Sequence, residues 1–371
     1  MLLKTFGAAL RRPLPQFQRQ RSAKTWRRVA YIPRQWPLPL PPIRYQTTAA
    51  MSQKQSQSQP VDTGLTSSAT FLVLSVTPTE GSIRAVRRAI SSVPDMTKNV
   101  SIRDVNANLT CVVGIGSGVW DSLTKLPRPA ELHPFPEVRG AKKTAVSTPG
   151  DILLHIRSER RDMCFELERQ LMDKLGDAVR LEDQTVGFRY FDARDLLGFV
   201  DGTANPVGAA AVSDAVMTAE SDPKIDATAV GGSYVVIQKY LHDMKGWKAL
   251  STEQQEAVIG RTKIDNVELD DADDGQQAAH KTLATIEDAS GEEYAVLRDN
   301  MPFGTPSTGE FGTYFIAYTR HLWVVEKMME RMFIGHPPGL HDRILDFSTA
   351  VTGCTFFAPS LDTLEALGDV E

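Results

Sequence analysis

Short apolar runs and segments of helical period alternate between residues 67 and 360, and the two halves of that span carry them in a similar order. Residues 70–76 (Thr-Phe-Leu-Val-Leu-Ser-Val) read as a strand, and 83–93, with Arg and Ser on its polar side, as a helix. Residues 110–116 and 151–157 read as further strands, the second by alternation. In 161–175, Met163, Phe165, Leu167, Leu171, Met172 and Leu175 recur at a helical period. The second half repeats the theme. Residues 233–240 form a strand, helical segments run through 244–260, 312–319 form a strand, 322–333 an amphipathic helix and 355–359 a closing strand. Strands and helices grouped without regular βαβ alternation predict an α+β fold. The order fits two ferredoxin-like units, though periodicity alone leaves other α+β layouts open.

Charge divides the chain differently. Residues 1–61 hold eleven Lys+Arg and no acid before Asp62, whereas the rest carries 30 Lys+Arg against 46 Asp+Glu, a net of −16. A body that acidic is a poor nucleic-acid binder, and no nucleic-acid partner is expected. In the head, Arg11, Arg12, Arg19, Arg21, Arg27, Arg28, Arg34 and Arg44 interleave with Leu2, Leu3, Phe6, Leu10, Trp26 and Val29. An Arg-rich, acid-free, amphipathic N-terminus is the pattern of a mitochondrial transit peptide; a basic arm for nucleic acid or anionic lipid is the alternative. Residues 1–50 are therefore expected to direct import, to the matrix, and 51–66 to be a polar Ser/Gln linker, with folded structure starting near Ser67. The folded body divides into 67–195 and 196–371. Met51 offers a start for a shorter cytosolic form. No apolar run approaches the roughly 18–20 residues of a membrane span. Cys111, Cys164 and Cys354 lack CxxC spacing, which excludes a zinc ribbon.

Some segments carry unusual chemistry. Residues 198–206 (Gly-Phe-Val-Asp-Gly-Thr-Ala-Asn-Pro) set a carboxylate, Asp201, on a tight turn between apolar flanks. Either Asp201 merely caps backbone amides in an Asx-turn or it faces a site. Residues 297–304 place Arg298 and Asn300 two apart, on one side of a strand, unless Arg298 simply pairs with Asp299 at the surface. Seven histidines are present, of which His280 follows a cluster of acids, Glu268 to Asp274, expected to be a solvated loop without the glycine-centred ladder of a calcium site. Residues 341–348 suggest a buried ionic network. No GxGxxG opens a helix, and neither HExxH nor GxSxG occurs.

Taken together these segments resemble the dye-decolorizing (DyP-type) haem peroxidases of the class found in many bacteria. The matching pieces are 148–155, 187–191, 196–206, 232–243, 259–263, 298–304 and 342–348; they are collinear and cover about 67–360. The resemblance implies a duplicated ferredoxin-like fold of the dimeric α/β-barrel type, one non-covalent haem b in the C-terminal half, and a homo-oligomer. It implies Asp201 as the distal aspartate, Arg298 as the distal arginine, Asn300 as its companion and His280 as the proximal iron ligand. Asp342 is implied as the carboxylate behind that imidazole, with Asp346 as the alternative. His242, in a motif-like Tyr-Leu-His-Asp, is not the ligand at the matching family position. The acidic loop and 275–279 depart from the family's Pro/Ser-rich approach to the histidine.

The expected reaction is reduction of hydrogen peroxide with oxidation of an organic donor. Two rivals stand beside it: a haem-handling protein with incidental peroxidase activity, and an α+β protein without a cofactor. Large donors would react at the surface through Tyr240, Trp247, Tyr294 or Tyr314, which the sequence does not rank.

Overall fold

The computed structural model describes residues 57–218, 229–273 and 275–370. The proposed import segment, 1–50, lies outside them.

The first half runs β1 (Ser68–Val76), α1 (Glu80–Ser91), α2 (Val93–Ser101), β2 (Thr110–Ile115), α3 (Ser117–Thr124), a small hairpin of β3 (Val138–Arg139) and β4 (Thr144–Ala145), β5 (Ile152–Ser158), α4 (Arg161–Leu175) and β6 (Val179–Phe188). Thr79 starts α1 by accepting from the Ser82 amide, so the chain turns from strand to helix within a few residues. The strands pair antiparallel in the order β6-β1-β5-β2.

The second half contains α5 (Ala209–Val216), β7 (Ser233–His242), α6 (Met244–Lys248), α7 (Thr252–Ile259), α8 (His280–Leu283), β8 (Leu297–Arg298), β9 (Met301–Thr305), β10 (Glu310–Thr319), α9 (Leu322–Phe333), β11 (Ser348–Ala350), β12 (Cys354–Ala358) and α10 (Leu361–Ala366). Its ladder, β12-β7-β10-β8, has the same order of strands four, one, three and two as the first half. Both halves are ferredoxin-like, and the molecule is the duplicated α+β fold that the patterning suggests.

The halves join where β12 meets β2 at Phe357 and Ile115. At the other side β6 packs beside β9, where Gly187 leaves no room for a Cβ against Met301. The sheet thereby curls into a barrel with two apolar layers. Phe71, Val73, Val112, Leu153, Ile237, Tyr314, Ile316 and Phe356 fill the inside. The outside is covered by helices through Trp120, Leu123, Leu167, Leu171, Val325 and Met329.

Three findings correct the expectations. The packed chain begins before Ser67: Gln59 and Val61 are buried, and Gln59 bonds Val113 and Pro359. β6 carries little apolar pattern because it is a largely exposed strand (Val-Arg-Leu-Glu-Asp-Gln-Thr-Val-Gly-Phe). β5 alternates in sequence yet is buried on both faces, His155 and Arg157 included, because it lies between the barrel interior and the helices.

Candidate active site

A cavity of about 180 Å³ opens in the second half between α9 and the β7/β10 ladder. Met328, Met329 and Met332 of α9 form one wall and Phe199, Ile259, Phe315 and Ile344 others. His280, Asp201, Arg298 and Asn300 all face it.

The turn at 198–202 is shaped by Gly198 and Gly202, both at positive φ (96° and 73°), where a side chain would be strained. Behind the turn, the Ala193 carbonyl accepts from the Asp201 amide at 2.8 Å. The Asp201 carboxylate accepts from the adjacent Gly202 amide at 2.7 Å, one residue on rather than the two of an Asx-turn, and also from Asn300 Nδ2 at 3.2 Å. The Ile316 amide donates to Asn300 Oδ1 at 3.1 Å, which fixes the amide so that its NH₂ points at Asp201. Burial raises the Asp201 pKa above the ordinary aspartate range, although the Asn300 and Gly202 bonds and the nearby Arg298 charge oppose it. Asp195, in the same wall, is pushed up to about 7, first by burial and then by Asp201's charge.

Arg298 ends β8, and Asp299 follows it in the two-residue link to β9 with its side chain turned the other way. Arg298 turns into the cavity, with Nη2 donating to the Ala284 carbonyl at 3.1 Å. Asp299 turns the other way into the barrel and accepts from Arg157 at 2.7 Å, both fully buried. The surface Arg298–Asp299 pair is thus replaced by a core pair that leaves Arg298 available. Asn205, which sequence reasoning passed over, holds Arg298 in place: its Nδ2 donates to the Arg298 carbonyl (2.7 Å) and its Oδ1 accepts from the Arg298 amide (2.9 Å). The Asn-Pro after the turn was the available signal.

His280 opens α8, and its Nδ1 bonds Asp342 Oδ2 at 2.7 Å. Asp342 is wholly buried and its other oxygen accepts from the Ile344 amide at 3.0 Å. Asp346 instead bonds His341 and Arg343, so of the two candidate carboxylates only Asp342 backs His280. Burial alone would lower the His280 pKa; the Asp342 charge and hydrogen bond outweigh it and raise it. The His280 side chain is a third exposed and lines the cavity. His242 also reaches the cavity, but Ser348 and Thr313 hydroxyls occupy both of its nitrogens at 2.8 and 3.0 Å, and burial lowers its pKa to about 4.

The acidic loop is more than solvated surface. Glu268 and Asp271 converge on Lys281, next to His280, at 2.9 and 3.0 Å. The adjoining cleft is lined by Arg261, Lys281, Arg331 and His336. Arg331 Nε is buried there without a partner among the described residues. An imidazole backed by a carboxylate, apolar walls and an Arg331 whose Nη1 bonds the Thr285 carbonyl while Nε lacks a partner among the described residues would suit a haem, with His280 as the residue that would hold its iron. Tyr240, Trp247 and Tyr314 are buried and cannot meet a large donor; Tyr294 is partly exposed and contacts exposed Trp323 edge-on.

Comparison with known proteins agrees. Residues 58–189 match the family described as Dyp-type peroxidase, N-terminal, and 192–363 Dyp-type peroxidase, C-terminal. A dye-decolorizing peroxidase of Mycolicibacterium paratuberculosis is 49% identical over 309 residues, 83% of this chain and 85% of that protein. The solved structure of DyPB from Rhodococcus jostii RHA1 is 49% identical with a TM-score of 0.79, covering 84% of this chain and 98% of that one. A variant of that protein in complex with heme gives 49% identity and a TM-score of 0.78, over 83% of this chain and 97% of that one.

Proposed function

The chain belongs to the Dyp-type peroxidase family, haem enzymes that reduce hydrogen peroxide and oxidise an organic donor, and on that premise we propose how its own residues divide the work. Haem b, when bound, would supply the two electrons that reduce peroxide to water and recover them from the organic donor. His280 holds the iron, and Asp342 draws on its Nδ1 proton, making the imidazole a stronger donor. Arg298, which lines the same cavity as His280, would stabilise the charge that develops as the O–O bond breaks. Asp201 takes the peroxide proton and passes it on, and a water held beside Asn300 would be able to share that task. The observation that carries this division is the opposite facing of Arg298 and Asp299, which delivers a guanidinium to the cavity uncompensated by its neighbour.

The test is stopped-flow measurement of the first peroxide-dependent spectral change, with haem content matched. Arg298→Leu should lose on the order of 10²–10³ in rate. Asp201→Ala should lose less, because Asn300 and water remain. A far larger loss in Asp201→Ala across pH 4 to 8 reverses the ranking. Because Asp201 must be ionised to accept a proton and its pKa is raised, the rate should fall with acidification above the ordinary aspartate range. Asn300→Ala removes a bond that favours the carboxylate and should move that limb to higher pH.

Import into mitochondria is proposed on the composition of 1–61 alone. Residues 1–60 fused to a fluorescent protein should reach the organelle, and a diffuse cytosolic signal rejects the idea. N-terminal mapping of the native protein tests the shorter form beginning at Met51. A homo-oligomer is proposed on exposed Phe165, Leu181, Val186 and Phe188 of α4 and β6, to be read by light scattering.

A further inference from the structure

The barrel interior holds more polar chemistry than packing requires. His155 of β5 is wholly buried, lies flat on Phe71 (4.6 Å, 12°), and its Nδ1 is 2.8 Å from the Tyr318 hydroxyl. Phe71 in turn stacks on Tyr314 (4.1 Å, 17°). His155 Nε2 lies 3.9 Å from Asp299 Oδ2, the carboxylate that Arg157 grips at 2.7 Å. His155 Nε2, Asp299 Oδ1 and Arg157 Nε are buried without a hydrogen-bond partner among the described residues. Interiors normally satisfy such atoms, and a cluster of them asks for a function.

The arrangement fixes the direction of the Tyr318–His155 bond. A lone pair on Nε2 would face the Asp299 carboxylate, so the proton belongs on Nε2. Nδ1 is then the acceptor and the Tyr318 hydroxyl the donor. Burial and the Arg157 charge disfavour the imidazolium and hold the resting ring neutral, with its Nδ1 lone pair on the Tyr318 hydroxyl; it takes the proton only when oxidation turns the phenol into a far stronger acid. Register places the pair close to the cavity: Ala317 opposes Arg298, and Tyr318 opposes Leu297. The backbone between Leu297 and Asn300 therefore carries Arg298 and Asn300 toward the haem site and Asp299 toward His155.

We propose that Tyr318 and His155 form a redox-active pair inside the barrel. The proposal rests on the haem peroxidase reading, whose peroxide chemistry supplies the oxidant. Tyr318 gives one electron to the peroxide-oxidised haem, and its phenolic proton crosses the hydrogen bond to His155 Nδ1. The products are a neutral tyrosyl radical and an imidazolium, whose Nε2 proton faces Asp299. One electron from the organic donor and return of the proton restore the pair. Being buried, Tyr318 does not meet the donor; it stores an oxidising equivalent when donor is scarce.

Freeze-quench electron paramagnetic resonance of the haem-loaded protein, mixed with one equivalent of peroxide and no donor, tests it. The wild type should give a tyrosyl signal that Tyr318→Phe loses while the Soret change persists. His155→Gln keeps a hydrogen-bond acceptor but cannot take the proton, so its signal should drop at least tenfold. In haem-free protein, nitrogen NMR of His155 should show the Nε2-protonated tautomer. An unchanged signal in Tyr318→Phe, no tyrosyl signal in the wild type, or an Nδ1-protonated ring overturns the proposal; equal signals in wild type and His155→Gln overturn the proton transfer. A peroxide-dependent Soret change without an organic radical refutes the pair and leaves the peroxidase reading intact, whereas no Soret change refutes that reading itself.

Discussion

The two halves share a strand order and part company in how strand one connects to strand two. In the first half that connection is α1 and α2, whose Val86, Ile90, Val93 and Val100 close over the sheet. In the second half the matching connection, 243–296, is longer yet covers less: α6 has five residues, α7 eight and α8 four, with irregular chain between them. Loops cannot lie flush on a sheet without stranding backbone groups, so space remains where a long helix would have packed. Into it point His280 from the connection itself, Arg298 from the strand that follows and three methionines from α9. The site is the part of the duplication that was left uncovered.

That comparison fails first if the ligand is misplaced. His280→Ala should purify mostly free of haem, with a lost or displaced Soret band, whereas His242→Ala, already bonded at both ring nitrogens, should keep it. The reverse outcome would move the site to β7.

Packing should differ just as sharply. Leu167→Ala, in the filled first half, should cost about 2–5 kcal/mol in chemical denaturation of the haem-free protein. Met329→Ala borders existing empty space and should cost under about 1 kcal/mol there, while speeding haem loss to an acceptor protein. Equal costs would mean that the haem-free cavity collapses.

Asn205→Ala leaves both polar groups of the Arg298 backbone without their partner. Stopped flow should show the peroxide step slowed between about 10- and 100-fold at normal haem content, since small misplacements of a catalytic group are costly. An unaltered rate would show that β10 pairing alone holds Arg298.

The smallest effect concerns Asp195, whose pKa is pushed up to about 7. Between its unfolded value near 4 and that value the folded protein holds a proton that the unfolded chain releases, so stability falls as pH rises through this window. Asp195→Asn stays neutral and can still accept from the Phe199 amide. It should match the wild type at pH 4 and exceed it by on the order of 1 kcal/mol at pH 8, where denaturation shows no gain if the carboxyl is in fact solvated.

Much of the frame was legible because its elements bury one clear face: 161–175 and 322–333 match α4 and α9 residue for residue. β6 escaped because an exposed strand with charges on both faces has no period to read. The site was legible only in part. The Arg298–Asn300 spacing predicts a shared direction, and the structure bears that out. What Asp299 would do instead depended on Arg157, 142 residues away, which no local pattern reports. His280 stands at the start of a four-residue helix, too short to leave a periodic trace, and came from resemblance alone.

Gln59 has a consequence of a mechanical kind. β2 and β12 meet at a single residue pair, and Gln59 spans the joint, bonding the Val113 amide and carbonyl on one side and the Pro359 carbonyl on the other. The segment acts as a staple driven from outside both halves. Tension applied at residue 57 would load that staple before it reached any full ladder, since β1–β5 and β7–β10 are each tied by runs of paired residues. Under force the molecule should open first at this seam, with the ladders of both halves still paired and the β6–β9 side still packed.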